Sequence, residues 1–153
     1  MSTEHHKAIV RRFYDEVWNG GDVDVALEVF ADDYVRHDLR PTEAAPGGAG
    51  MAAIARSFRQ AFPDLRMHVD VLLAESDLVA ARWTSMGTFT GDWAGVAPTG
   101  RRATFSGVNI FRFVNGRVAE LWNHRDDLGL MQQVGAEVFA GSPGTQNGPT
   151  ADT

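Results

Sequence analysis

The chain contains no cysteine, which removes disulfides, a thiolate nucleophile and sulfur-ligated metal from consideration. It is also short of positive charge: 14 Lys and Arg against 20 Asp and Glu leave a net charge of −6. Phosphate backbones and anionic membranes are bound through clustered basic residues. The only basic pairs, Arg11-Arg12 and Arg101-Arg102, are too short to form such a patch. Neither nucleic acid nor a membrane is therefore expected as a partner. Long apolar runs are missing as well. The opening MSTEHHKAIVRRF is interrupted by charges, so no signal-peptide core and no membrane span is expected, and the expected location is cytoplasmic. None of the common catalytic signatures occurs: no GxGxxG, GxxxxGK[ST], HExxH or GxSxG. Five histidines are present, but His5-His6 lies at the terminus and His37, His68 and His124 are scattered singly, so no metal site is expected.

What is present fits one globular domain. With 153 residues, 44% apolar and 22% charged, the chain is long enough to bury a real core. Residues 1–140 are expected to form that domain. From Gly141 the segment GSPGTQNGPTADT lacks apolar content, which predicts a disordered tail over 141–153.

The order of periodicities predicts an α+β architecture. Residues Glu4 to Asn19 space Ile9, Val10, Phe13, Tyr14, Val17 and Trp18 as the stripe of an amphipathic helix, with Ser2 or Thr3 as N-cap and Gly20-Gly21 as the stop. A shorter helix follows from Asp22 to Phe30, then a short extended edge, Tyr34 to Asp38. Pro41 to Gly50 reads either as a mobile lid or as an ordinary surface loop. Met51 to Phe62 resumes helical spacing, and Pro63 ends it. From Leu65 the period becomes two, with Leu65, Met67, Val69, Val71 and Leu73 on one face. Leu78 to Thr90 is the next strand, with Val79, Ala81, Trp83 and Ser85 on one face and Arg82 on the other. The turn region Gly91 to Gly100 carries an exposed-looking Trp93. Arg102 to Phe113 and Arg117 to Arg125 complete an antiparallel meander. Such a sheet curves into a cone whose concave face, closed by the first helices, leaves a cavity.

The stretch FSGVNIFRFVNGRVAELWNHRDDLGLMQQ, Phe105 to Gln133, gathers a strand, a hairpin turn at Asn115-Gly116, a polar cluster and a closing helix. Aromatic strands carrying isolated Asn and carboxylate groups suit the wall of a ligand pocket. They equally suit a strand pair whose Asn109 and Asn123 face water. Acid-base chemistry without a cofactor would draw on His37, Asp38, His124, Asp126 or Asp127. Asp126 or Asp127 has a second role open to it, capping the helix at Leu128. A strictly regular two-residue hairpin would set Asn109 opposite Trp122, so a bulge is predicted if Asn109 and Asn123 share a face.

The hairpin and its sequel, GVNIFRFVNGRVAELWNHRDDLGLMQQVG, together with FPDLRMHV, RWTSMGTFTG and VAPTGRR, resemble the SnoaL-like polyketide cyclase family over residues 8 to 136. The resemblance implies the nuclear transport factor 2 fold, a cone-shaped α+β barrel of antiparallel strands behind N-terminal helices. It implies an aromatic polyketide of anthracycline type as the small-molecule partner, no cofactor, and a homodimer formed through the outer sheet. Members that close a polyketide ring by aldol condensation use an Asp late in the last strand and a His on the strand before it. In register, those positions are Asn123 and Asn109 here. An amide cannot serve as general base, which points to relatives that assist hydroxylation of the ring system, with a possible partner reductase. The residues implied for catalysis are Asn109, Asn123, Asp126 and His37, and those for substrate binding are Tyr14, Trp18, Arg82 and Trp122. A cyclase with its base relocated to Asp126 or His37, and a non-catalytic binding module, are the alternatives.

Overall fold

In a computed structural model, residues 1–38 and 45–135 are described. The predicted tail and the first part of the predicted lid, 41–44, lie outside them. Helix α1, Thr3–Arg12, is capped by Ser2, whose hydroxyl accepts from the His5 backbone N–H at 3.1 Å. It continues into a wider π-helical segment, Phe13–Asn19, which periodicity alone did not anticipate. Such widened turns recur at functional sites because they re-aim side chains without ending the helix. Gly21, at φ +76°, lets the chain leave. A 3-10 turn, Val23–Val25, leads into α2, Ala26–Val29. Phe30 is extended rather than helical and opens strand β1, Phe30–His37, which is longer than the predicted edge.

Helix α3, Gly47–Ala61, starts four residues before the predicted Met51, so the end of the predicted loop is helical. It buries Met51, Ala52, Ala55, Phe58 and Ala61. Strands β2 (Arg66–Glu75), β3 (Leu78–Thr88), β4 (Arg102–Val114) and β5 (Arg117–Arg125) follow, and α4, Asp127–Val134, closes the end with Leu130 and Val134 buried.

The strands form one sheet in the order β1-β5-β4-β3-β2. Three pairings are antiparallel as expected, but β1 runs parallel to β5. The expectation of a wholly antiparallel barrel is thus corrected to a mixed sheet, curled around the helices and open at β1 and β2. The parallel edge follows from connectivity: α3 carries the chain across the concave face before β2 starts.

Two bulges re-aim side chains. In β2, Val69 pairs with Trp83 but Val71 with Arg82, so Asp70 is the extra residue. The shift turns Val71 and Leu73 outward, to 47% and 63% exposure, against the predicted single face through Leu73. In the β4-β5 hairpin, Asn115 and Gly116 take φ of +51° and +81°, the two positive values of a tight turn. Val114 pairs with Arg117 and Phe113 with Val118, yet Arg112 pairs with Glu120. Ala119 is the extra residue, and the predicted bulge therefore sets Asn109 opposite Asn123.

Candidate functional site

The concave face is lined mostly by apolar side chains, five of them aromatic. Phe13 and Trp18 come from the π-helical segment, Met51, Ile54 and Phe58 from α3, and Met67, Trp83, Phe105 and Leu121 from the sheet. Polar groups enter only from one end: Arg36, Asn109, Asn123 and Arg125. The recess encloses about 470 Å³, counting solvent at its mouth, but only about 40 Å³ of it is interior space free for water. That holds one or two waters.

A chain of hydrogen bonds crosses this end. The Tyr14 hydroxyl donates to Asn109 Oδ1 at 2.7 Å, and the Trp83 indole Nε1 donates to the same oxygen at 2.8 Å. Asn109 Nδ2 donates to Asn123 Oδ1 at 2.7 Å. Asn123 Nδ2 donates to Asp38 Oδ2 at 3.2 Å, and Arg36 donates to that same oxygen, from its terminal nitrogen at 2.8 Å. The chain is interior: Asn109 is 7% exposed and the Asp38 side chain 6%. Burial holds the Tyr14 phenol far above its ordinary range, so it stays a neutral donor.

At the mouth, the Arg125 guanidinium lies over the rings of Phe58, at 5.0 Å, and Trp93, at 5.4 Å. It also donates to Asp127. Trp93, read as exposed from its glycine-rich surroundings, is partly buried and packs edge-on to Phe58 at 5.5 Å.

Of the residues picked from the sequence, the structure gathers Tyr14, Trp18, Asn109 and Asn123 around the recess. It places the other four elsewhere. His37 alternates outward on β1, 41% exposed, stacked on Trp122 at 4.8 Å and bonded to Glu120 at 3.1 Å. Trp122 lies with it on the outer face, because its neighbours Leu121 and Asn123 line the recess. Arg82 is on the outer face of β3, bonded to Asp70 and Thr84. Asp126 is the N-cap of α4, accepting from the Gly129 N–H at 2.9 Å.

Arg36, Phe58 and Arg125 line the recess without having been singled out. From the sequence Asp38 is only one of several titratable groups. The signal for β1 was available: once Tyr34 is buried, Arg36 and Asp38 share its side and His37 does not. Among the described residues, no three His, Asp or Glu side chains converge as metal ligands, and no helix is long and apolar enough to cross a membrane.

Chemically, the recess is a largely apolar slot with amide and guanidinium N–H groups at one end. Such a surface accommodates a flat ring system and hydrogen-bonds its oxygens. No lining side chain is a carboxylate or imidazole, so none of them is a proton acceptor near neutral pH.

The comparisons agree with this architecture. TsrD from Streptomyces laurentii superposes with a TM-score of 0.80 at 27% identity, over 89% of this chain and 98% of that one. AclR, a proposed hydroxylase from Streptomyces galilaeus, gives 0.76 at 31% identity, over 88% and 98%. IdmH, a proposed polyketide cyclase from Streptomyces antibioticus, gives 0.70 at 29%, over 84% and 97%. No curated protein matches the sequence. The family described as SnoaL-like polyketide cyclase matches residues 8–134, nearly everything between the N-cap of α1 and the end of α4, and the chain belongs to that family.

Proposed function

We propose that the protein is a cofactor-independent tailoring enzyme for an aromatic polyketide of anthracycline type, and that it assists hydroxylation of the ring system. The observation that carries this reading is the recess itself, where Asn109 and Asn123 stand without a lining carboxylate or imidazole. An aldol cyclase needs a base against the substrate, whereas an amide pair holds the oxygen of a substrate already able to exist as an enolate or phenolate. Inserting one atom of dioxygen into a C–H bond releases the other as water and consumes two electrons and two protons. A separate nicotinamide-dependent reductase is the proposed source, since the sequence carries no dinucleotide fingerprint. The likeness to AclR supports this branch.

One observation favours a second reading. Asp38 is a buried carboxylate 3.2 Å behind Asn123, and a shift of Asn123 would bring it to the substrate as the relocated base of a cyclase. Asp38 is preferred for that role to His37, which faces outward, and to Asp126, which caps α4.

The test is to incubate the purified protein with an anthraquinone-type polyketide, with and without cell extract and nicotinamide cofactor, and to weigh the product. A gain of one oxygen that depends on extract supports the hydroxylase reading and its partner. Loss of water with a new ring supports the cyclase reading, and no conversion under any condition leaves a binding module.

A further inference from the structure

Trp83 and Asp38 stand at opposite ends of one run of side-chain hydrogen bonds, and their chemistry is opposite too. An indole N–H only donates, and an ionised carboxylate, here beside Arg36, only accepts. Between them lie two amides, each of which could face either way if nothing constrained it. Trp83 Nε1 requires the oxygen of Asn109 at 2.8 Å, which turns Asn109 Nδ2 towards Asn123 at 2.7 Å. Asn123 must then present its oxygen to Asn109 and its nitrogen to Asp38 at 3.2 Å, the orientation the carboxylate demands independently. Tyr14 does not set the direction, because a hydroxyl both donates and accepts.

The consequence concerns what the recess shows to a ligand. Asn109 Oδ1 already accepts two hydrogen bonds, so an N–H is what this side chain has left to offer. Asn123 adds a second N–H beside one remaining lone pair. The other polar lining side chains with N–H groups to offer, Arg36 and Arg125, only donate, and the Trp83 indole N–H is already given to Asn109.

We infer that Trp83 and Asp38 together fix the direction of the Asn109-Asn123 amide pair, making the recess a donor-lined site that selects ligands through acceptor oxygens. Quinone, ketone and enolate oxygens satisfy it, and amine or unactivated hydrocarbon edges do not. Trp83 and Asp38 are thus specificity-determining residues that act through the two amides. The ligand class rests on the reading that a flat aromatic molecule occupies the recess, whereas the direction of the chain does not.

Two measurements test it. In ligand-free, isotopically labelled full-length protein, scalar couplings across hydrogen bonds are expected from Trp83 Nε1 to Asn109 Cγ and from Asn109 Nδ2 to Asn123 Cγ. A coupling from Asn123 Nδ2 to Asn109 Cγ overturns the assignment, whatever the protein binds. Tryptophan fluorescence then reads the affinity of anthraquinone sulfonate against anthracene sulfonate, which differ at the two central-ring carbons, carbonyl in one and C–H in the other. The wild type is expected to prefer the quinone about tenfold, the value of one good buried hydrogen bond. The Asn109 Nδ2-to-Asn123 Cγ coupling survives in Trp83→Phe and in Asp38→Leu, since the other end still holds the direction, and weakens in the double variant. Equal affinities in the wild type, loss of that coupling in either single variant, or its retention at full strength in the folded double variant overturns the inference. If neither probe binds, the aromatic-ligand reading fails while the couplings still decide the direction. If the double variant does not fold, the couplings decide alone.

Discussion

Asn109 is where the demands of folding and of the site meet in one side chain. It satisfies the buried Tyr14 hydroxyl and Trp83 indole together, and passes a hydrogen bond on to Asn123. Asn109→Leu leaves the indole and the Asn123 oxygen without partners, an expected loss of about 2–4 kcal/mol in urea denaturation. Tyr14→Phe removes one donor from an oxygen that keeps another, and about 1 kcal/mol is expected. Equal costs for the two would contradict the shared-acceptor geometry. Asn123→Asp makes a different point. It places a second carboxylate beside Asp38, at a contact that is now 3.2 Å, and two carboxylates so close share a proton. Carbon NMR of the carboxyl groups should then show a titration step above the ordinary carboxylate range that the wild type lacks. Its absence would mean that Asp38 and residue 123 are not in contact in solution.

At the level of elements, the site is assembled by departures from regularity. The π-helical segment turns Tyr14 towards the sheet, and the Ala119 bulge compensates a two-residue turn that would otherwise pair Asn109 with Trp122. Gly107 on β4 is a third such device. A Cβ there would lie 2.5 Å from the Trp83 ring and 2.5 Å from the His124 carbonyl oxygen. Only glycine lets the indole lie flat enough on β4 to reach Asn109. Gly107→Ala is expected to displace the ring, weaken the Trp83-Asn109 bond and cost about 1–3 kcal/mol, as overpacking does. Thermal unfolding and the shift of the Trp83 indole proton check it, and an unchanged indole resonance would refute the role given to Gly107.

For the whole molecule, ionisation sets the limits of stability. The folded state holds Tyr14 neutral, its proton affinity raised by burial. That contribution is complete below the unfolded phenol value of about 10 and is lost as pH rises beyond it. At the acid side, Asp70 is lowered to about 2, first by the Thr84 hydroxyl and then by His68 and Arg82. Arg112 and then His37 lower Glu120, and the Thr88 backbone N–H and hydroxyl lower Asp64. These carboxylates stabilise above roughly pH 4 and lose that contribution as pH falls towards 2. Being at the surface, they act weakly. A melting temperature that is level near neutrality and falls at both extremes is expected, and a fall beginning near pH 8 would contradict the burial of Tyr14. The outer sheet face exposes Val35, Val71, Leu73, Met86 and Val108. The homodimer proposed for this face predicts that Leu73→Asp halves the mass seen by sedimentation equilibrium, and an unchanged mass refutes it.

Local chemistry in the chain is enough for the α+β class, every strand of the meander, the turn at Asn115-Gly116 and the need for a bulge beyond it. Periodicity and positive-φ residues are short-range signals, legible without a neighbour. The spacing of Tyr14 and Trp18 on one helix was enough, too, to bring them to the same face, whereas Asn109 and Asn123 share a face only through the bulge at Ala119. Which side of the sheet each remaining side chain sees was decided only by tertiary contacts. His37 and Asp38 are adjacent in sequence and opposite in fate, because the pairing of β1 with β5 sends one to Trp122 and the other to Asn123. Val71 and Leu73 left the inner face through a bulge at Asp70, whose side chain bonds to Arg82 and Thr84 on the neighbouring strand. The direction of the amide chain belongs to the same class. It is set by an indole and a carboxylate that lie 45 residues apart in a sequence of 153 and meet only through the folded sheet.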